Sequence, residues 1–344
     1  MEGEQMIIEL RAKNCFVFDE QISFSLKADM RNKKFASNVH KENNFNVLKT
    51  VGIYGPNNAG KTCLIKCIKA MKQIMLNKAH GLMPNIFTNN AVCELGMTFL
   101  VLGRKFAYDI KYDAEKKEFI YEHFSEMKKD RHGNEKTDCW LIKDTVKDQY
   151  FCVDEGVNQM MPLIAKTNLL CYLIDTDQFE HLEAMKKVIT DIAEKIDIVN
   201  MNNIPMEHTI KLMKNRGQLQ QKVVDFIKNA DLYLDDFEYV NMDQIMIKAE
   251  DESERPEEKV LELPETIMDQ IRLVSTYKGV RVPSMLFDST GTKKIAALAG
   301  YVIESLEQGR ILVIDELDSS IHFKLTRAIV AMFNNELNIH AQMI

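Results

Sequence analysis

Eight consecutive residues, Gly55-Pro56-Asn57-Asn58-Ala59-Gly60-Lys61-Thr62, match the pattern G-x-x-x-x-G-K-[ST] of a phosphate-binding loop. Each residue type has a task there. The glycines let the backbone turn so that its N–H groups face phosphate oxygens. The Lys61 ammonium reaches the β- and γ-phosphates, and the Thr62 hydroxyl coordinates Mg2+. Far along the chain, Ile311-Leu312-Val313-Ile314-Asp315-Glu316 sets two carboxylates after four apolar residues. Asp315 suits Mg2+ held through its water shell, and Glu316 is placed to orient or deprotonate an attacking water. Read alone, an Asp-Glu pair after a strand could also cap a helix. A third motif, Asp288-Ser289-Thr290-Gly291-Thr292-Lys293-Lys294, puts its Gly291 24 residues before Asp315. Small hydroxyl residues and a glycine opening a helix form a second anion-binding start. Its natural use is the γ-phosphate of an ATP held by another subunit, though Ser-Thr-Gly is also a plain N-cap.

These residues need particular elements behind them. Val51-Gly52-Ile53-Tyr54 ends an apolar run, Leu48 to Tyr54, that leads into the glycine loop. From about Lys61 to Asn77, Leu64, Ile65, Ile68, Met71 and Met75 recur at helical spacing. The run 311–314 reads as a buried parallel strand, whose C-terminal end is where open α/β sheets bind ligands. Ile295, Leu298, Ala299, Val302 and Ile303 mark a helix after the third motif. Ile7–Leu10, Phe16–Phe18 and Ile22–Leu26 read as strands, with a long polar loop from Lys27 to Asn46 after them. Strand patterns return from Ala91 to about Phe151, with a tight hairpin expected at Gly103-Arg104 and a turn at Arg131-His132-Gly133-Asn134. From about Asp177 to Leu234 the helical period dominates, with Ile189, Ile192, Ile196, Val223, Phe226 and Ile227 as examples. A break at Asn202-Asn203-Ile204-Pro205 rules out a long coiled-coil arm. Asp251 to Glu258 is a charge run expected to be a solvated loop.

Composition removes several classes. The 344 residues carry 44 basic and 51 acidic side chains, a net −7, with 46% hydrophobic and 28% charged residues. That is an ordinary globular balance, and it argues against a nucleic-acid coat or a polybasic membrane anchor. No stretch reaches the roughly 18 apolar residues of a membrane span. The acidic start lacks the pattern of a signal peptide. The seven cysteines, Cys15, Cys63, Cys67, Cys93, Cys139, Cys152 and Cys171, contain no CxxC pair. Cys63 and Cys67, one helical turn apart, read as packing residues rather than half a metal site. Free thiols fit a reducing cytoplasmic location. The 20 methionines read as core filling.

In this order the three motifs resemble the ABC-type P-loop ATPase head, the group of transporters, SMC/Rad50 and RecF. Gly-Pro-Asn-Asn-Ala-Gly-Lys-Thr, Asp-Ser-Thr-Gly-Thr-Lys-Lys and Ile-Asp-Glu-Leu-Asp-Ser-Ser-Ile-His are similar in wording to the OLD-like and abortive-infection ATPases of bacterial anti-phage defence. Arg11 to Phe18 resembles that family's opening strand, and Ala230-Asp231-Leu232-Tyr233-Leu234-Asp235-Asp236-Phe237 resembles a segment of its helical insert.

The resemblance implies that Gly55, Pro56, Asn57, Asn58, Ala59, Gly60, Lys61 and Thr62 bind ATP. It implies that Thr62 and Asp315 serve Mg2+ and that Glu316 is the catalytic carboxylate. Ser289, Thr290 and Gly291 would complete the partner subunit's site, with Ser319 and Ser320 in the interface-crossing D-loop. His322, beside them, is expected to be an interface or structural residue. The implied fold is an α/β P-loop head with a mostly parallel sheet, an antiparallel β-subdomain and a helical insertion. The expected organisation is residues 1–176 for the first half of the core, 177–250 for the helical insertion and 251–344 for the second half.

Three departures stand beside this. No Q-loop glutamine falls in its expected place around Glu94 to Leu100. The 254 residues between Lys61 and Asp315 exceed what a transporter ATPase needs. Ala341 to Ile344 reads as the start of a further core strand, so a truncated head without its switch histidine is expected; His340 precedes that strand. The expected function is an ATP-binding, ATP-hydrolysing subunit of a defence complex. Two heads would sandwich ATP as a homodimer or higher homo-oligomer and control a partner effector nuclease, with DNA as a further candidate partner and no membrane contact. The alternatives are an ATP-gated scaffold or sensor with little turnover, and a RecF/Rad50-like repair ATPase.

Overall fold

The computed structural model describes residues 4–31, 34–42, 45–129, 135–163, 168–169, 172, 178–215, 217–230, 233–240, 264–319 and 321–344. The strands are β1 (Gln5–Lys13), β2 (Ile22–Ser25), β3 (Val39–Glu42), β4 (Phe45–Leu48), β5 (Val92–Val101), β6 (Arg104–Asp113), β7 (Glu118–Lys129), β8 (Glu135–Asp144), β9 (Gln149–Cys152), β10 (Ile196–Asn200), β11 (Asp236–Tyr239), β12 (Leu273–Tyr277), β13 (Val280–Pro283), β14 (Ile311–Asp315) and β15 (Gln342–Met343). The helices are α1 (Lys61–Met75), α2 (Glu155–Met160), α3 (Glu180–Lys195), α4 (Glu207–Lys214), α5 (Gln218–Ala230), α6 (Glu265–Ile271), α7 (Ser284–Phe287), α8 (Thr290–Gln308) and α9 (Phe323–Asn334). The chain divides into two units. Unit 1 is Met1–Ile198, Gly309–Asp315 and Met332–Ile344; unit 2 is Val199–Gln308 and Glu316–Ala331. The segment expected as a helical insertion is divided between them, with α3 in unit 1 and α4, α5 and β11 in unit 2.

Unit 1 is built on a seven-stranded sheet in the order β2-β1-β5-β6-β7-β8-β9, and every neighbouring pair in it is antiparallel. A smaller sheet runs β10-β14-β15. This large sheet has the antiparallel pairing expected of the β-subdomain; it is not the mostly parallel sheet expected for the core. Among the described residues, parallel pairing joins β14 to β15 (Ile311↔Gln342, Leu312↔Met343) and Thr50 to Met343. Antiparallel neighbours come from local turns, whereas parallel ones must be brought from distant chain. The β5–β6 turn shows the local rule. Val101 pairs with Arg104, so the two loop residues are Leu102 and Gly103, one place earlier than expected. Both have positive φ, 53° and 71°, as the tight hairpin turn that matches strand twist requires.

One face of the long sheet is apolar. Phe106 stacks on Phe124 with ring centroids 5.5 Å apart, and Trp140 meets both edge-on. Helix α1 buries Leu64, Ile68, Met71, Ile74 and Met75, and α3 buries Leu182, Met185, Ile189 and Ile192. All of these join one hydrophobic core with Leu10, Met97 and Tyr108. Cys67 lies in that core, where burial pushes its thiol well up, and Cys63 is half-buried.

Two local readings differ from expectation. Phe16–Phe18 is a turn closed by a Cys15–Phe18 bridge, with Asn14 and Phe16 at positive φ, rather than a strand. The stretch 27–46 is not all loop, since β3 and β4 pair antiparallel there. The expected turn at 131–134, Cys171, Asp231-Leu232, the end of the helical insertion at 241–250, the charge run 251–258 and Ser320 lie outside the described residues.

In unit 2, α4 and α5 pack against α8, and β11-β12-β13 form an antiparallel sheet. The α4–α8 crossing is close because Gly300 has no side chain. A Cβ there would sit 2.5 Å from Thr209 Oγ1 and 2.9 Å from Thr209 Cα. Thr209 Oγ1 instead donates to the Ala296 carbonyl at 2.9 Å and accepts from Gly300 N–H at 3.2 Å.

Candidate functional site

The glycine loop of unit 1 sits between a strand-like segment and α1. Val51 N–H donates to the Met343 carbonyl at 3.0 Å, and Met343 N–H donates to the Lys49 carbonyl at 2.8 Å. This pairing holds the chain beside β15 as far as Val51. Residues 52–54, expected as strand, are irregular, and Tyr54 is exposed. Gly60 then adopts φ 90° and caps α1, with Asn58 also left-handed at φ 64°. A side chain at Gly60 would be strained by that φ and would press on Val17 and Phe18 at 3.2 Å. The loop residues 55–59 lie exposed, so their backbone is open to a ligand.

Two supports of this loop went unseen in the sequence. Gln342, fully buried, accepts from Ile7 N–H at 2.8 Å and donates to the carbonyls of Ile7 and Leu48 at 2.9 Å each. It joins β1, β4 and β15. Lys49 donates to the carbonyls of Asn335 and Asn338 at 2.8 and 2.6 Å, satisfying the end of α9 and the turn after it. A lone lysine and a lone glutamine within apolar runs carry no pattern that names their partners.

Lys61 folds over its own loop, its ammonium donating to the carbonyls of Gly55 at 2.6 Å and Pro56 at 2.8 Å. Thr62 Oγ1 donates to Asp315 Oδ2 at 3.2 Å, across 253 residues of sequence. Asp315 ends β14, whose Ile311–Ile314 are buried. A hydroxyl and a carboxylate oxygen in contact at the mouth of a phosphate loop are hard oxygen donors of the kind Mg2+ takes. These two residues fit that ion.

Glu316, the next residue, opens unit 2 with φ 58°, a left-handed conformation costing an L residue about 1–2 kcal/mol. Its Oε2 accepts from Asn202 Nδ2. Asn202 Oδ1 in turn accepts from Ser319 Oγ at 2.7 Å, and Ser319 N–H donates to the Glu316 carbonyl at 2.8 Å. Asn202 therefore bridges two sequence-predicted site residues. It lies in a 3-10 turn, Met201–Asn203, whose first N–H groups are met by the Asn200 side chain. The sequence showed Asn202 only as chain punctuation. His322 is exposed and accepts from Lys324 N–H through Nδ1 at 3.2 Å, at the start of α9.

The third motif also has a visible support in unit 2. Asp288 is buried and accepts hydroxyl hydrogens from Ser275 at 2.7 Å, Ser284 at 2.6 Å and Tyr277 at 2.9 Å. Ser289 Oγ then accepts from Thr292 N–H at 3.1 Å, an N-cap of α8. Thr290 is exposed and Gly291 half-buried. Thr290, Lys293, Lys294 and Asn202 border one open cleft of about 640 Å3.

Residues 205–344 match the family model described as "AAA domain, putative AbiEii toxin, Type IV TA system". The match covers the third motif and the Asp-Glu strand but not the glycine loop. Among solved structures, the SMC head domain from Thermotoga maritima is similar at 12% identity. The alignment covers 98% of this chain and 87% of that one, with a TM-score of 0.43. No curated protein matches the chain. Among the described residues, no helix is long and apolar enough to cross a membrane.

Proposed function

We propose that the chain is an ATP-binding and ATP-hydrolysing head of a defence complex. The observation that carries this reading is the Thr62–Asp315 contact, which joins the two halves of a phosphate-loop site across the chain. Gly55 and the residues from Asn57 to Gly60 offer backbone N–H groups to the phosphates; Pro56 has none. Lys61 exchanges its two loop carbonyls for β- and γ-phosphate oxygens. Thr62 and Asp315 would hold Mg2+, which would supply positive charge to offset that of the phosphates. Glu316 orients the attacking water and accepts its proton.

Ser289, Thr290 and Gly291, with Ser319 and Ser320, serve the nucleotide of a second copy, so that ATP joins two heads. The AbiEii and toxin–antitoxin wording of the matched family supports a defence role; the effector nuclease is a partner this reading adds. The −7 charge places any DNA contact on the assembled complex or on that partner.

Two variants test the reading. Lys61→Ala should lose most ATP affinity, because the phosphate charge is left unpaired. Glu316→Gln should keep ATP binding, abolish turnover and accumulate an ATP-bound oligomer in analytical ultracentrifugation. Unchanged nucleotide binding in Lys61→Ala would sink the assignment of the loop. Full turnover in Glu316→Gln would remove that residue's role.

A further inference from the structure

In unit 1, outside the glycine-loop site, three potential ligands converge. Glu4 precedes β1, and His40 and Glu42 stand on β3. Their donor atoms all lie within 4.8 Å of one another. His40 is 7% exposed, and its Nε2 sits 2.7 Å from Glu4 Oε2 and 3.4 Å from Glu42 Oε2. Its other nitrogen, Nδ1, lies 2.8 Å from the carbonyl oxygen of Ile339. A carbonyl only accepts, so Nδ1 carries the hydrogen, and in the neutral ring the Nε2 lone pair faces two carboxylates.

Three acceptors pointing inward need a shared proton or a cation between them. A second ring proton supplies one, but a single N–H aims at one acceptor and leaves Glu42 at 3.4 Å. Lys49 nearby is committed to the carbonyls of Asn335 and Asn338. A tetrahedral zinc ion, about 2.0–2.1 Å from each nitrogen or oxygen ligand, keeps its donors roughly 3.3 Å apart. The His40–Glu42 separation already has that value, and Glu4 needs to withdraw by only a fraction of an ångström. A ligating imidazole whose other nitrogen donates to a backbone carbonyl is the usual outer-shell support of such sites. One imidazole with two carboxylates suits Zn2+ better than the all-oxygen preference of Mg2+ or Ca2+.

We propose that Glu4, His40 and Glu42 form a zinc site, with water as the fourth ligand, that pins the start of β1 and the Ile339 turn to β3. The turn leads directly into β15, so the ion fastens the sheet edge behind the glycine loop. The site is independent of nucleotide and of the ATPase reading.

The test uses the full chain after chelator treatment. Titration calorimetry with Zn2+ should show one saturable site, and the thermal midpoint should rise by a few degrees on loading; a millimolar excess of Mg2+ should not compete for that site. His40→Ala should weaken that site by more than about tenfold. Glu42→Gln, which leaves the His40–Ile339 bond intact, should weaken it similarly and serves as the second variant if His40→Ala fails to fold. Two results overturn the proposal. One is no saturable Zn2+ uptake, which leaves a protonated histidine ion pair. The other is equal uptake in wild type and Glu42→Gln, which assigns the ion to thiols or other groups.

Discussion

Asn202 shows what one side chain adds to a motif. Its amide donates to Glu316 and accepts from Ser319, so a single planar group fixes a carboxylate and a hydroxyl that sequence placed independently. Glu316 is also held in a left-handed backbone, so the side chain is aimed by two constraints. A hydrogen bond to a charged group is worth roughly 1.5–3 kcal/mol. Asn202→Ala should therefore lower kcat for ATP about tenfold or more while KM stays within about twofold. Asn202→Asp should lower kcat further, since it sets a second carboxylate against Glu316. Steady-state kinetics beside Glu316→Gln separate the two ideas. If Glu316→Gln is inactive and Asn202→Ala is normal, Asn202 is structural only.

At the scale of elements, a helix is placed by what it can approach. Gly300 stands inside α8, where glycine ordinarily costs about 0.5–1 kcal/mol relative to alanine. Propensity alone thus makes Gly300→Ala stabilising. The contact across α4 reverses the sign, because the added methyl would meet the backbone of Thr209 at 2.9 Å and its hydroxyl at 2.5 Å. Overpacking of this kind costs about 1–3 kcal/mol. Denaturant unfolding of Gly300→Ala should show a net loss of stability, and a gain would mean that α4 yields freely.

At the scale of a whole unit, the long sheet of unit 1 carries cross-strand charge pairs on both of its faces. Arg11 Nη1 donates to Thr98 at 2.8 Å, and Nη2 donates to Asp109 at 2.8 Å. Arg104 grips Glu126 with two hydrogen bonds of 2.8 Å. Burial works to raise both carboxyls, but His123 and Arg11 hold Asp109 below its ordinary value, and Arg104 and Lys128 do so for Glu126. Groups depressed in the folded state contribute stability that is fully present above their unfolded pKa, about 4. That stability is lost as pH falls through the lower folded value. Denaturation midpoints should thus be insensitive to these groups between pH 5 and 8 and should fall below about pH 4. Arg11→Met should lower the plateau and flatten the acid decline; an unchanged acid slope would remove Asp109 from this role.

The sequence by itself determined the three motifs, the helices after Gly60 and Ser289, and the apolar strand at Ile311, because each is written in a contiguous run of residues. Apolar spacing likewise marked Leu64 to Met75 as a buried helical face. Only the tertiary structure decided that the antiparallel sheet is the largest one, that Thr62 meets Asp315, and that Gln342, Lys49, Asp288 and Asn202 hold the motif-bearing segments. The physical reason is distance along the chain. Periodicity reports which face of an element is buried, but a buried polar side chain acquires its meaning from partners up to 335 residues away. No local pattern encodes such a partner, and the hydrogen bond exists only once the fold has brought both groups out of water.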